Sequence, residues 1–203
     1  MAKSKSEPVG IGLRAKTARA IAVVLAGPVD APRVVRRVEL SLTDPSIPAT
    51  FQPYHEVIDL PWERATVAVR KSAKKIETIA SNALARLIGD AQGEGYAVRG
   101  VGIVGAGNRN LEKIGSTHIR AHAAEGVLFR EVLEVAAAAN KVRSRTFDQR
   151  SLDEIAVSEL RLPIERLKGC LGEMGRAAGS PWRADEKAAA TAAWLTLASQ
   201  RRK

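Results

Sequence analysis

The sequence predicts an α/β fold, a mixed five-stranded sheet with helices on its faces. Three observations carry this. Three runs rich in Val, Ile and Leu fall within residues 9–42, joined by turns too short to hold a helix. Two later runs, residues 96–104 and 142–147, each follow a long segment whose apolar side chains recur at helical spacing. Beyond residue 150 every patterned segment reads as helix. Hairpins first and alternation afterwards describe a mixed sheet, antiparallel at its start and parallel where right-handed helical crossovers intervene.

The elements follow in order. Residues 9–14 (VGIGLR) read as the first strand and 15–19 as a short basic turn. Residues 20–26 form a near-continuous apolar run, too short for a helix and suited to a buried strand, which Gly27-Pro28 ends. Residues 33–42 (RVVRRVELSL) mix β-branched side chains with charges, as an edge strand does. The three strands read as an antiparallel meander, with strands two and three expected to pair antiparallel with strand one. Residues 43–61, with Pro45, Pro48, Pro53 and Pro61, form a long loop.

Residues 62–91 read as helix, with Ile76, Ile79, Ala83, Leu87 and Ala91 on one face. Strand four spans 96–104, and Gly105-Ala106-Gly107-Asn108 turns the chain. Ser116 or Thr117 caps a helix running to about Asn140, whose expected inner face is Ala124, Leu128, Val132, Val135 and Ala139. Strand five covers 142–147. Three helices close the chain: a polar one from Ser151, one over 163–178, and one over 184–199 with Ala188, Ala189, Ala192 and Leu195 facing inward. The predicted order is β-β-β-α-β-α-β-α, in one domain over residues 9–199. A disordered basic arm (1–8) and a basic tail (200–203) flank it.

A formal net charge of +10 and an isoelectric point near 10.2 point to a polyanionic partner, with nucleic acid first. A solvated basic surface is the plainer reading. Aromatic residues make up only 4%, which argues against binding single strands by base stacking. The single cysteine, Cys170, excludes an internal disulfide and suits a reducing compartment; its apolar neighbours mark it as a small core side chain. No run approaches the ~18 apolar residues of a membrane span, and the start lacks the apolar stretch of a signal peptide. The expected location is cytoplasmic.

The order of elements is that of the RNase H-like superfamily. Residues 121–152, AHAAEGVLFREVLEVAAAANKVRSRTFDQRSL, resemble the helix-strand-helix region of RuvC-type Holliday junction resolvases. Asp185-Glu186-Lys187-Ala188-Ala189-Ala190 resembles the closing helix of the RuvC and YqgF-type groups, where an Asp precedes a run of Ala. The resemblance implies DNA phosphodiester cleavage by two divalent cations, Mg²⁺ or Mn²⁺, about 4 Å apart and held by converging carboxylates. It also implies a homodimer, since a four-way junction has two-fold symmetry. In the family, acids stand on strand one, at the end of strand four and on the last helix. Here Gly12 stands on strand one, and Val104 and Gly105 end strand four. Asp185 alone carries over, because Glu186 is turned about 100° around the helix.

Other candidates surround this frame. Gly105-Ala106-Gly107 lacks the third glycine of a dinucleotide motif, since Asn110 stands in its place. It reads as a turn, with a phosphate contact as the functional alternative. His118 and His122 have i,i+4 spacing that can bind metal, but no third ligand is evident and Glu125 is not placed as in HExxH. Glu125 itself falls on an Ala-rich face, where an unpaired carboxylate is costly. It either pairs with Arg120 or Arg130 or joins Asp185 in a shifted active site. Arg14, Lys16 and Arg19 follow strand one, Asn108, Arg109 and Lys113 follow strand four, and Lys71, Lys74 and Lys75 stand on the first helix; all are candidate phosphate contacts. Glu56 and Asp59 are further acids that a rearranged site could recruit from the long loop.

The leading expectation is a RuvC-like protein that binds structured or duplex DNA, with catalysis lost or relocated. The alternatives are a metal-dependent endonuclease built on Asp185 and Glu125, with Asp185 as the metal ligand, and a structural or partner-binding protein keeping only the fold. Whether the chain is an enzyme is left open by the residues; an enzyme of this frame would be a metal-dependent phosphodiester hydrolase. Asp185 acting only as a cap of the last helix is its plainer role.

Overall fold

The computed structural model describes residues 6–107 and 109–199. Its five-stranded sheet has the order β3-β2-β1-β4-β5, built from β1 (Glu7–Lys16), β2 (Arg19–Ala26), β3 (Arg33–Ser41), β4 (Tyr96–Gly105) and β5 (Ser144–Asp148). The pair β1/β2 and the pair β2/β3 are antiparallel. The pair β1/β4 and the pair β4/β5 are parallel. Strand β2 separates β3 from β1, so the third strand pairs with the second and not with the first. The arm expected over residues 1–8 is shortened as well: Glu7 and Pro8 already belong to β1. Residues 1–5 of that arm and the expected tail, 200–203, lie outside the described residues.

The helices are α1 (Trp62–Ala68), α2 (Arg70–Gly93), α3 (Thr117–Ala139), α4 (Leu152–Leu160), α5 (Ile164–Ala178) and α6 (Ala184–Ala198). Alternation along the strands sorts the core into two layers. Val9, Ile11, Leu13 and Ala15 of β1 face α2 and α3, where Ile76, Leu84, Phe129 and Leu133 meet them. Val23, Leu25, Val104 and Phe147 face the other layer, where α6 lies under α4 and α5 with Leu167, Leu171 and Trp194. Cys170 is half-buried against this second layer.

Helix α6 is buried nearly all round, and its small residues explain how it sits so close to the sheet. Gly10, Gly12, Gly100 and Gly102 form its seat. A Cβ at Gly12 would overlap the carbonyl oxygen of Ala189 and lie 2.7 Å from the Ala193 nitrogen. One at Gly102 would lie 2.6 Å from the Ala192 oxygen. Glycine is required here by close approach of two backbones.

Helix α3 is partly rotated from its expected setting. Of the expected face, Ala124 and Val132 are buried and Leu128 packs against the core, while Val135 is 42% exposed and Ala139 faces solvent; Ala121, Glu125, Phe129, Leu133 and Ala136 are buried beside them. The bulk of Phe129 and Leu133, four residues apart, decides which face packs. Ser116 caps this helix, its hydroxyl accepting from the Ile119 N–H at 3.4 Å.

Candidate nucleic-acid interface

Strands β1, β4 and β5 run parallel and end together, with Arg14 opposite Val104 and Gly105 opposite Asp148. The carboxyl edge of parallel strands is where open α/β sheets place ligand sites. A cleft of about 540 Å³ opens there, lined by Arg14 to Thr17, Gly105 to Gly107, Arg109, Gly126 of α3, and Asp148 to Arg150.

Register brings Asp185 to this edge. Gly10 packs on Ala193 and Gly12 on Ala189. Two strand residues advance about 6.7 Å, and four helical residues about 6 Å. The next pair in that series is Arg14 with Asp185, and the two are joined: Arg14 Nε lies 3.3 Å from Asp185 Oδ1. Lys16 Nζ lies 3.2 Å from Oδ2 of the same carboxylate. Arg14 also donates to the Val104 carbonyl at 3.3 Å and to the Gln149 side-chain oxygen. Its side chain is 11% exposed, against 30% for Asp185.

Asp185 is therefore not the helix cap. Glu186 takes that part, its carboxylate accepting the Arg183 backbone N–H at 2.8 Å. At the far wall, Asp148 accepts the Arg150 backbone N–H at 2.9 Å, and its other oxygen occupies the space that a side chain at Gly107 would need. The cleft lining carries Arg14, Lys16, Arg109 and Arg150 against Asp148, with Asp185 paired behind Arg14 and Lys16, a cationic balance suited to phosphate.

These residues do not fit a pair of divalent cations. Such ions need several converging carboxylates, and Asp185 already neutralises two side-chain cations. No side chain fits at Gly12 without moving α6, and a Cβ at Gly105 would point into the Arg130 side chain, 2.8–2.9 Å away. A cation on Asp185 would have to displace both Arg14 and Lys16.

Several expected contacts lie elsewhere. Arg19 pairs with Glu39 at 3.4 Å on the β2–β3 hairpin. Lys113 sits exposed on the 3-10 turn Leu111–Lys113. Lys71, Lys74 and Lys75 are exposed on α2, with Lys75 3.8 Å from Asp44, and none of them lines the cleft. Glu56 and Asp59 are exposed on the long loop and also stand outside it. Asn108 lies outside the described residues.

Glu125 does not join Asp185, nor does it pair with either expected arginine. It is fully buried and takes His55 Nδ1 of the long loop at 2.8 Å. Arg120 instead donates to the Ile114 carbonyl at 2.8 Å, and Arg130 pairs with Glu131 at 3.2 Å. Sequence reasoning missed Thr17, Asp148, Gln149 and Arg150 as lining residues. Their signal was positional: Asp148-Gln149-Arg150 directly follow the last parallel strand, at the edge where β1 and β4 end.

No protein-family model matches the sequence, and no curated protein matches it. Solved structures do. Thermus thermophilus RuvC in complex with a Holliday junction substrate superposes with a TM-score of 0.55 at 12% identity, over 95% of this chain and 94% of that one. T. thermophilus RuvC also matches in a further structure, with a TM-score of 0.55 at 11% identity over 95% of each chain. The yeast mitochondrial Holliday junction resolvase Ydc2 gives 0.50 at 13% identity, over 96% of this chain and 80% of that one. The chain has an RNase H-like, RuvC-type fold.

Proposed function

We propose that this protein binds duplex or branched DNA by its phosphates at the carboxyl edge of β1, β4 and β5, without two-metal cleavage. The observation that carries this reading is the ion-paired trio Arg14–Asp185–Lys16, with separations of 3.3 and 3.2 Å. It surrounds the one carboxylate that the resemblance carries over with two cations. Backbone turns and side-chain cations of this kind position a phosphate without reading sequence. The net charge of +10 favours the same partner, and T. thermophilus RuvC, which shares the fold, has been captured on a Holliday junction. A homodimer belongs to the proposal, since a junction offers two equivalent faces. So does a reducing, cytoplasmic setting. Among the described residues no helix is long and apolar enough to cross a membrane.

The test is binding of a labelled four-way junction and a matching linear duplex over a salt series, in EDTA and in Mn²⁺. Affinity that falls steeply with salt, favours the junction and is unchanged by EDTA is the expected result. Absence of binding to either DNA at low salt overturns it and leaves a partner-binding protein with a shared fold. One observation favours a second reading, a rearranged nuclease: Asp148 lines the cleft, and Asp185 stands against two of its lining residues, Arg14 and Lys16. Mn²⁺-dependent cutting that disappears in Asp185→Asn would establish that reading in place of the first.

A further inference from the structure

The chain has three histidines, and the fold gathers all of them. His118 and His122 stand one turn apart at the start of α3, and His55 reaches them from the loop between β3 and α1. One ring nitrogen of each lies within 4.8 Å of one from both others. His118 Nε2 and His122 Nε2 are 3.1 Å apart. Two imidazoles on one tetrahedral zinc ion, with Zn–N near 2.05 Å, hold their nitrogens about 3.3 Å apart. The ring centroids of His55 lie 4.4 Å from those of His122 and 5.2 Å from those of His118.

A second observation points to a ligand. His55 Nδ1 is engaged by the Glu125 carboxylate at 2.8 Å, which places the ring proton on Nδ1 and leaves a lone pair on Nε2. That Nε2 is buried and has no partner in the chain, and neither does the second oxygen of Glu125. A lone pair and a carboxylate oxygen buried together without partners are costly. A carboxylate that bonds the far nitrogen of a histidine is the arrangement by which proteins fix the tautomer and orientation of a metal-binding imidazole. A cation bound at Nε2 would satisfy the lone pair and balance the buried carboxylate through the ring.

We propose that His55, His118 and His122 form a three-imidazole site for Zn²⁺ or a similar borderline transition-metal ion, oriented by Glu125 and clipping the long loop to α3. Imidazole donors select such ions over Mg²⁺ or Mn²⁺. His118 and His122 are exposed, so the fourth coordination position faces solvent and takes water. None of these four residues lines the basic cleft, although His122 is one turn before Gly126, which does. The proposal stands whether or not the protein binds DNA.

The test uses the full chain without a histidine tag, stripped with EDTA and titrated with Co²⁺ and then with Zn²⁺ against a chromophoric chelator. The expected result is one ion per chain, visible d–d bands of low-coordinate Co²⁺ that Zn²⁺ bleaches, and a higher melting temperature with Zn²⁺. His118→Ala and His122→Ala alter exposed side chains and keep the fold; each should lose at least about 100-fold in affinity, as loss of a direct ligand must exceed loss of its support. Glu125→Gln should keep the stoichiometry and weaken binding about 10–100-fold. Binding no tighter in the native chain than in His122→Ala, or binding that survives both His118→Ala and His122→Ala, overturns the site.

Discussion

The guanidinium of Arg14 meets the carboxylate of Asp185 at 3.3 Å because strand β1 and helix α6 are in step. Gly10, Gly12 and Arg14 climb the strand as Ala193, Ala189 and Asp185 descend the helix. Arg14 takes that step of the register, so the Asp185 carboxylate is met by its guanidinium and by the Lys16 ammonium at 3.2 Å rather than by a further acid.

Asp185→Asn separates these chemistries by sign. In a phosphate-binding cleft the substitution releases Arg14 and Lys16 from their counter-charge. Junction affinity should then rise about 3–10-fold, which is ~1 kcal/mol for one partly exposed charge. The ion pairs are partly solvated, so the cost to stability should stay below ~1 kcal/mol. Anisotropy titrations at fixed salt check this, and weaker binding by the variant would show that the carboxylate helps to hold the nucleic acid.

Replacing cations should act uniformly over DNA sequences. Lys16→Ala and Arg150→Ala should each lower affinity for every duplex and reduce the slope of log K against log salt by about 1. Lys71→Ala, on the exposed face of α2 away from the cleft, should change neither quantity. Equal losses from all three variants would point to diffuse surface charge in place of a defined cleft.

Gly12 tests how tightly α6 is seated. Gly12→Ala puts a methyl group against the backbone of Ala189 and Ala193, and backbone cannot rotate aside as a side chain can. The expected cost is about 3 kcal/mol or more, read as a melting temperature lowered by roughly 6–12 °C for a chain of this size. Gly89→Ala, with open space around its Cβ position inside α2, should be neutral or mildly stabilising. A Gly12→Ala protein as stable as the native one would mean that α6 moves freely on the sheet.

The strands were legible because β-branched runs bounded by glycine and proline have few other solutions, and the parallel placing of β4 and β5 followed from helical crossovers; the place of β3 did not, since it pairs with β2 and not with β1. The alternating glycines of VGIGLR and RGVGIV were visible too, yet nothing local says that they seat a helix that lies far away in sequence from both. The inner face of α3 was misread in part because alanines score as apolar on several faces, and the larger Phe129 and Leu133 decide the packing. For the site, Arg14, Lys16 and Arg109 were found from their places after strands. Asp148 and Arg150 were not, since a lone Asp after a strand looks like any turn. The partner of Glu125 was beyond reach: His55 lies 70 residues away, in a proline-rich loop with no periodicity.

That loop is anchored at its start by a turn whose strength depends on pH. Asp44 accepts the Ser46 hydroxyl at 2.6 Å and the Ser46 backbone N–H at 3.0 Å. Thr50, fully buried, donates to the Ile47 carbonyl at 2.7 Å and receives the Asp44 N–H at 2.9 Å. The Ser46 hydroxyl, then its N–H, and more weakly Lys75 hold the Asp44 carboxyl below its usual range. A depressed native value means that the turn is fully supported above the ordinary aspartate range, near 3.9. That support is lost as pH falls through the lowered native value. Hydrogen-exchange protection over residues 45–51 should therefore be lower at about pH 2.5 than at about pH 5, both chosen around that ordinary value. Asp44→Asn keeps an acceptor for Ser46 but cannot titrate, so its protection should be nearly the same at both values. An equal drop in the variant would place the acid sensitivity outside this turn.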